Sequence, residues 1–226
     1  LYGCSEKPII DPEGEIAAFC DSTDRWLPLA CTMNVTVVTE QVRNWFGWSL
    51  AELEEAVSSV DSASSDLLFL PYLNGERTPN LPGASGVIHG LSPHQGSPAH
   101  LARAAMEGAT LGLAYGLKRF ASLGLKPSEI RLTGGGSRSA TWRQISADAF
   151  GVPVVALATA EGAGLGGAIQ AAFADGQGTY ETLCERVVVL DESTRCLPDE
   201  NRVADYEEKL ERQTRLTLVL KESGFL

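Results

Sequence analysis

The chain has 226 residues, 44% of them apolar, and a formal charge of −11. It can bury a sizeable core, and its long-range field repels nucleic acid and anionic membrane, so neither is expected as a partner. No apolar run is long enough to cross a bilayer, the start LYGCSEKPII has no signal-like character, and Cys4, Cys20, Cys31, Cys184 and Cys196 fit no zinc spacing, so they read as reduced thiols in or near the core of a cytoplasmic protein.

The chain opens on Leu1 rather than methionine, which leads us to expect a fragment or processed product. Short runs PII, EIAAF and WLPLACTM, separated by DPEG and DSTD, predict an antiparallel meander that begins inside a sheet. Val38, Val42, Trp45 and Phe46 recur at helical spacing before Gly47, and Ser49 with Glu52 forms a capping-box pattern opening a second short helix. Residues 58–66 read as a surface loop. LLFL then suits a buried strand, and the proline- and glycine-rich stretch after it is expected to be irregular but ordered, because it carries Tyr72, Leu73, Leu81, Val87 and Ile88. Asp11, Asp21, Asp24 and Asp66 are expected to be solvated turn residues.

Ser97 and Pro98 suit an N-cap and first helical position, and Gly124 a stop. The helix between them carries an unusually small face, Ala104, Ala105, Gly108, Ala109, Gly112 and Gly116, able to approach a neighbour closely. From EIRLTGGG onward the pattern is strand, helix, strand, helix, which implies a parallel βαβ unit with a right-handed crossover. The tail from Asp199 predicts an amphipathic helix with Val203, Tyr206, Leu210 and Leu220 as buried positions and with Glu208–Arg212 and Glu211–Arg215 as solvated pairs. The expected fold is one α/β domain with a mixed sheet flanked by helices.

Gly134, Gly135 and Gly136 fall at the carboxyl end of a strand, just before a helix, which is where open α/β sheets bind ligands. They form neither a phosphate-binding loop with Lys-Ser or Lys-Thr nor a dinucleotide fingerprint. On local grounds a tight turn explains them equally well. EGAGLGGA, 161–168, follows the next strand in the same way, so two small-residue strand ends leave a slot that a flat purine could enter. His89, His94 and His100 read as surface or hydrogen-bonding residues, and Trp142 as helix-face core rather than an adenine stacker.

Three stretches together resemble the C-terminal domain of the FGGY family of carbohydrate kinases, in the form found in xylulokinases: LPYLNGERTP, GVIHGLSPHQGSPAHLARAAME, and LTGGGSRSATWRQISADAFGVPV followed by EGAGLGGAIQAA. The resemblance implies a ribonuclease-H-like (actin-like ATPase) domain, partnered by an N-terminal sugar-binding domain of the same chain. It implies transfer of the ATP γ-phosphate, with Mg2+, to a sugar hydroxyl, D-xylulose in the xylulokinase form, with an aspartate as general base. That aspartate and its phosphate loop would stand upstream of Leu1, so no catalytic residue is assigned here.

The resemblance implies Gly134, Gly135 and Gly136 as nucleotide contacts. Ser139 occupies the position of an adenine-side polar residue, and equally that of a helix N-cap. Gly75 would approach the phosphates. Arg77 would either attract them or pin its loop to a carboxylate such as Glu107. An actin-like ATPase or switch without a sugar, and a noncatalytic assembly domain using the Gly/Ala face of 101–116, are the competing readings; a homodimer is left open.

Overall fold

The computed structural model describes residues 1–61, 65–159 and 161–226. β1 (Ile16–Cys20) and β2 (Trp26–Ala30) form an antiparallel hairpin. Residues 1–5 lie on the other edge of β2, bridging at Tyr2–Leu29 and Ser5–Trp26. The meander is therefore present, but its third member is the N-terminal segment and not PII, which holds no strand.

Helix α1 (Thr36–Phe46) stops where Gly47 adopts φ 66°, and α2 (Leu50–Ser58) opens on the Ser49–Glu52 capping box. Val38 and Val42 are buried as their spacing predicts, whereas Trp45 is 49% exposed. β3 (Leu68–Leu70) is buried along its length and pairs antiparallel with β4 (Val87–His89). The stretch read as irregular thus contains a strand. Its first part is closed by the reciprocal backbone bonds of Glu76 and Leu81, 2.8 and 3.0 Å, with Tyr72 and Leu81 buried.

Helix α3 (Pro98–Ser122), capped by Ser97, packs against α1, α2, α4, α7 and β3. Its small face is what allows this. A Cβ at Gly108 would stand 2.0 Å from the carbonyl oxygen of Phe69, and one at Gly116 would stand 2.9 Å from the Ala30 Cβ. The strands lie so close that only hydrogen fits. The Gly/Ala face is therefore buried inside the chain, which counts against the competing reading that it serves as an assembly surface.

β5 (Ile130–Leu132) leads through a 3-10 turn, Gly135–Arg138, into α4 (Ala140–Phe150), then β6 (Val154–Leu157) and α5 (Gly162–Ala174). β5 and β6 are parallel, as the alternation requires. Two elements absent from the sequence reading follow: α6 (Tyr180–Val187) and β7 (Leu190–Cys196), which pairs antiparallel with β6 and makes the sheet mixed. Helix α7 (Glu200–Glu222), capped by Asp199, closes the chain.

Polar residues account for several departures from expectation. Glu107 is buried on α3 and accepts from Arg103 Nε at 2.6 Å, Tyr206 OH at 2.9 Å and Lys209 Nζ at 2.9 Å. Arg103 also donates to the Val57 carbonyl, so one carboxylate ties α2, α3 and α7 together. Arg77 has no part in this node, which overturns its proposed pairing with Glu107. On α7, Arg212 reaches Asp66, 2.9 Å, rather than Glu208. Cys196 packs against the core and Cys31 is half-buried, whereas Cys4, Cys20 and Cys184 are exposed, which corrects the expectation for those three.

Asp11 is the clearest correction. It is buried rather than solvated; its carboxylate accepts from the N–H groups of Glu13, Glu15 and Ile16 and pairs with Arg119 on α3. The Arg119 guanidinium, aided by those N–H groups, holds the Asp11 carboxyl at about 2. A carboxyl depressed in the folded state stabilises the fold above its unfolded value, near 4, and that contribution is lost as pH falls toward 2. Asp11→Asn is expected to cost about 2 kcal/mol at neutral pH and less as pH falls from 4 to 2, because wild type alone loses the contribution. Urea unfolding across that range checks it; a difference between the two proteins that does not change with pH would contradict it.

Candidate functional site

The parallel pairing of β5 with β6 brings their carboxyl ends side by side, with Leu132 opposite Ala156. The two glycine-rich junctions leave from these ends. They touch: a Cβ at Gly162 would meet Thr133 Cγ2 at 3.4 Å. Gly134 takes φ 82°, a conformation that demands glycine. Gly135 has no such requirement, since its φ is ordinary and a Cβ there would meet nothing within 4 Å. Gly136 lies against the Trp142 ring, 3.2 Å from where its Cβ would be. Among the described residues, nothing comes within 4 Å of where a Cβ would stand at Gly134 or Gly135.

Both junctions begin helical turns, whose first N–H groups the turns themselves do not pair. Gly135 and Gly136 open a 3-10 turn, where i→i+3 bonding offers their N–H groups nothing to donate to. Gly162, Ala163 and Gly164 begin α5, whose N-cap residue, Glu161, makes no side-chain capping bond. Two uncapped helical starts side by side favour an anion or a polar aromatic edge over bulk apolar contact.

The slot's rim is held by residues that sequence reading missed. Ser137 is buried and donates to the Gly134 carbonyl at 2.7 Å. Arg143 bonds the Ser137 carbonyl at 2.8 Å and the Thr194 carbonyl of β7 at 3.1 Å, tying the turn to the sheet edge. Ser139 is the N-cap of α4, accepting from Trp142 N at 2.9 Å, and its hydroxyl donates to Glu54 of α2. Glu54 also accepts from Thr141 N and Oγ1, 2.9 and 2.7 Å. Partial burial pushes the Glu54 carboxyl up, but the bonds from Ser139 and Thr141 outweigh it and hold the group below its ordinary value. The capping reading of Ser139 is thus realised in full, and only a remaining lone pair is open to a ligand.

Trp142 belongs to the core, its indole N–H donating to Thr110 Oγ1 at 2.9 Å. Gly75 is buried. Its φ is 64°, a Cβ would stand 2.3 Å from the Pro82 carbonyl oxygen, and its own carbonyl accepts from Asn34. Loop closure alone therefore requires glycine there. Arg77 is exposed and its guanidinium lies 3.8 Å from Cys31 Sγ. Gly75 and Arg77 pack against the β2–α1 connection, whereas the 134–136 turn packs against α4. His89 and His94 are exposed, and His100 Nδ1 pairs with Ser97 Oγ at 2.7 Å.

Glu54 fixes the start of α4 and with it the glycine turn. Glu54→Ala is expected to lose about 1–3 kcal/mol in urea unfolding; Ser139→Ala, which removes the cap, about 1 kcal/mol. A neutral result for Glu54→Ala would show that the clasp is solvated decoration.

Comparison with known proteins agrees with this geometry. A model of the FGGY family of carbohydrate kinases, C-terminal domain, matches residues 14–174. The xylulose kinase of Haemophilus influenzae is 42% identical over 212 residues, 94% of this chain and 43% of that protein. The xylulose kinase of Escherichia coli K12 is 34% identical over 95% of this chain and 45% of its own length. The chain thus spans under half the length of these relatives. Among solved structures, a ligand-bound xylulose kinase from Lactobacillus acidophilus superposes with a TM-score of 0.87 at 24% identity, covering 97% of this chain and 45% of that one. Glycerol kinase from Plasmodium falciparum with ADP gives 0.76 at 15%, covering 94% and 44%. These likenesses carry the fold, the actin-like architecture of the FGGY sugar kinases. By the family match and by identity to its relatives, the chain belongs to the FGGY family of carbohydrate kinases.

Proposed function

We propose that this chain is the nucleotide-binding, C-terminal half of a cytoplasmic sugar kinase that transfers the γ-phosphate of ATP to a ketopentose, with D-xylulose as the substrate. The observation that carries the reading is the adjacency of two uncapped, glycine-rich junctions at neighbouring parallel strand ends. Gly134, Gly135 and Gly136 border the nucleotide, their amides aimed at it; Ser139 holds the helix behind them and offers its remaining lone pair. The exposed Arg77 is available to phosphate oxygens. Identity to xylulose kinases favours the ketopentose. Among the described residues no three acidic, histidine or cysteine side chains cluster as a metal site. Mg2+ is therefore assigned to the nucleotide's phosphates rather than to a cage in this chain. ATP supplies the transferred phosphoryl group; this chain's residues position it and screen its charge. The sugar pocket and the general base belong to the remainder of the protein.

The test is phosphorylation by the full-length protein. D-xylulose is expected to turn over. Failure with every ketopentose, polyol and hexose would overturn the sugar reading, and ATP hydrolysis indifferent to sugar would favour an ATPase switch instead. Gly135→Asp probes the nucleotide seat. Nothing blocks its side chain, so the melting temperature is expected to hold, while KM for ATP rises about tenfold or more, roughly 1.4 kcal/mol. The 226-residue chain alone is expected to show little or no turnover; robust activity would place the general base within it.

A further inference from the structure

The glycine turn carries a weakness of its own. The Gly134–Gly135 peptide joins two glycines, and a Cβ at either would meet nothing within 4 Å. A planar trans peptide points its C=O and its N–H in opposite directions, so reversing the plane replaces an outward N–H with an outward carbonyl. The reversal turns only ψ of Gly134 and φ of Gly135, and glycine tolerates both settings. A seat that offers amides to an anion is lost when this plane reverses, because a carbonyl oxygen repels the same ligand.

Two side chains hold the plane. The Gly134 carbonyl is turned into the 3-10 turn, where it accepts from Ser137 N at 3.2 Å and from Ser137 Oγ at 2.7 Å. The Gly135 N–H therefore faces away from the turn. Ser137 is buried, which shields its hydroxyl bond from competition with water. Ser137 is fixed in turn by Arg143, whose Nη1 donates to the Ser137 carbonyl at 2.8 Å and whose Nε donates to the Thr194 carbonyl at 3.1 Å. A planar guanidinium fork suits two carbonyls held at a set separation.

Thr194 is itself anchored to the sheet. Its Oγ1 accepts from Ala156 N at 2.9 Å and donates to the Asp191 carbonyl at 2.6 Å. Ala156 pairs with Leu132 across the β5–β6 register. The bonds thus run from β6, the strand that leads into the second junction, through Thr194, Arg143 and Ser137 to the Gly134 carbonyl in the first. On the nucleotide reading of these junctions, we infer that Ser137 and Arg143 are positioning residues for the phosphoryl transfer. They act through the backbone: they keep the Gly134–Gly135 peptide from reversing, so that the Gly135 N–H stays turned outward to the nucleotide.

The test uses the full-length protein, with steady-state kinetics in ATP and in D-xylulose, calorimetric titration of ATP, and the Gly135 amide followed by NMR. In Ser137→Ala and in Arg143→Ala, KM and Kd for ATP are expected to rise about three- to tenfold, the worth of one hydrogen bond. kcat and KM for the sugar are expected to hold within about twofold, since binding lost equally from ground and transition states raises KM alone. Both variants act on one peptide, so the double variant is expected to fall short of the product of the single effects. Millimolar guanidinium ion is expected to recover part of the ATP affinity lost in Arg143→Ala and none of that lost in Ser137→Ala; a general loss of stability would instead be worsened by it. Without nucleotide, the Gly135 resonance is expected to be single in wild type and broadened or doubled in both variants. Should Arg143→Ala fail to fold, Ser137→Ala carries the test through the same KM split and the same resonance. The inference alone is overturned if ATP affinity is unchanged in both variants, if kcat falls and the sugar KM rises in step with it, or if the Gly135 resonance stays single in both. A wild type that neither binds ATP nor turns it over would overturn the nucleotide seat itself, and this inference with it.

Discussion

The parallel register of β5 on β6 is the constraint on which the site rests. Three residue pairs, Ile130–Val154, Arg131–Val155 and Leu132–Ala156, align the two strands. A parallel pair must be joined by a crossover, and α4 is that crossover. The geometry has a direct consequence: both strands end at the same edge of the sheet, and each must turn into a helix there. The two turns become neighbours whatever their sequence. Glycine at 134–136 and at 162 and 164 determines that the neighbours leave space between them instead of filling it. A slot lined by main-chain amides is the result, and its chemistry comes from the backbone. On the proposed reading, this is how an acidic chain with a charge of −11 would hold an anionic ligand: local N–H dipoles act at short range, while the net charge is screened beyond about 10 Å.

The β5–β6 sheet is backed by α4. α3 packs against α4 in turn and lies close to β3 and β2 because Gly108 and Gly116 carry no side chains. The helix is then fixed by charges at two points. Glu107 gathers Arg103, Tyr206 and Lys209 in the interior, and Arg119 grips Asp11 near the other end. Buried ion pairs of this kind add little net stability compared with apolar substitutes, but removing one partner leaves a stranded charge. They therefore specify one arrangement of α2, α3 and α7 more than they stabilise it. Glu54 plays the corresponding part for α4, linking α2 to the helix that follows the glycine turn.

Much of this was legible in the residues. The capping box at Ser49, the Ser97-Pro98 start and the glycine stops at 47 and 151 are local signals, and local geometry realises them. The glycine junctions were legible because strand–turn–helix order dictates their position. What escaped was either weakly patterned or non-local. β7, LDESTRC, is a polar edge strand without clean alternation, and α6 buries only Leu183, so neither carries a strong periodic signal. Asp11 looked like a turn residue because its partner, Arg119, lies 108 positions away. Glu54 and Arg143 have roles only through contacts that no spacing rule encodes. Gly75 could be singled out from sequence, but its reason, the approach of Pro82, could not.

The central claim is that main-chain amides at the two junctions form the nucleotide seat. Titrating ATP into the full-length protein while following backbone amide resonances tests it most directly. The account predicts that the largest shifts fall on Gly134, Gly135 and Gly136 together with Gly162, Ala163 and Gly164, both sets moving with one dissociation constant. Saturable ATP binding that leaves both sets unmoved, or moves only one of them, would contradict it.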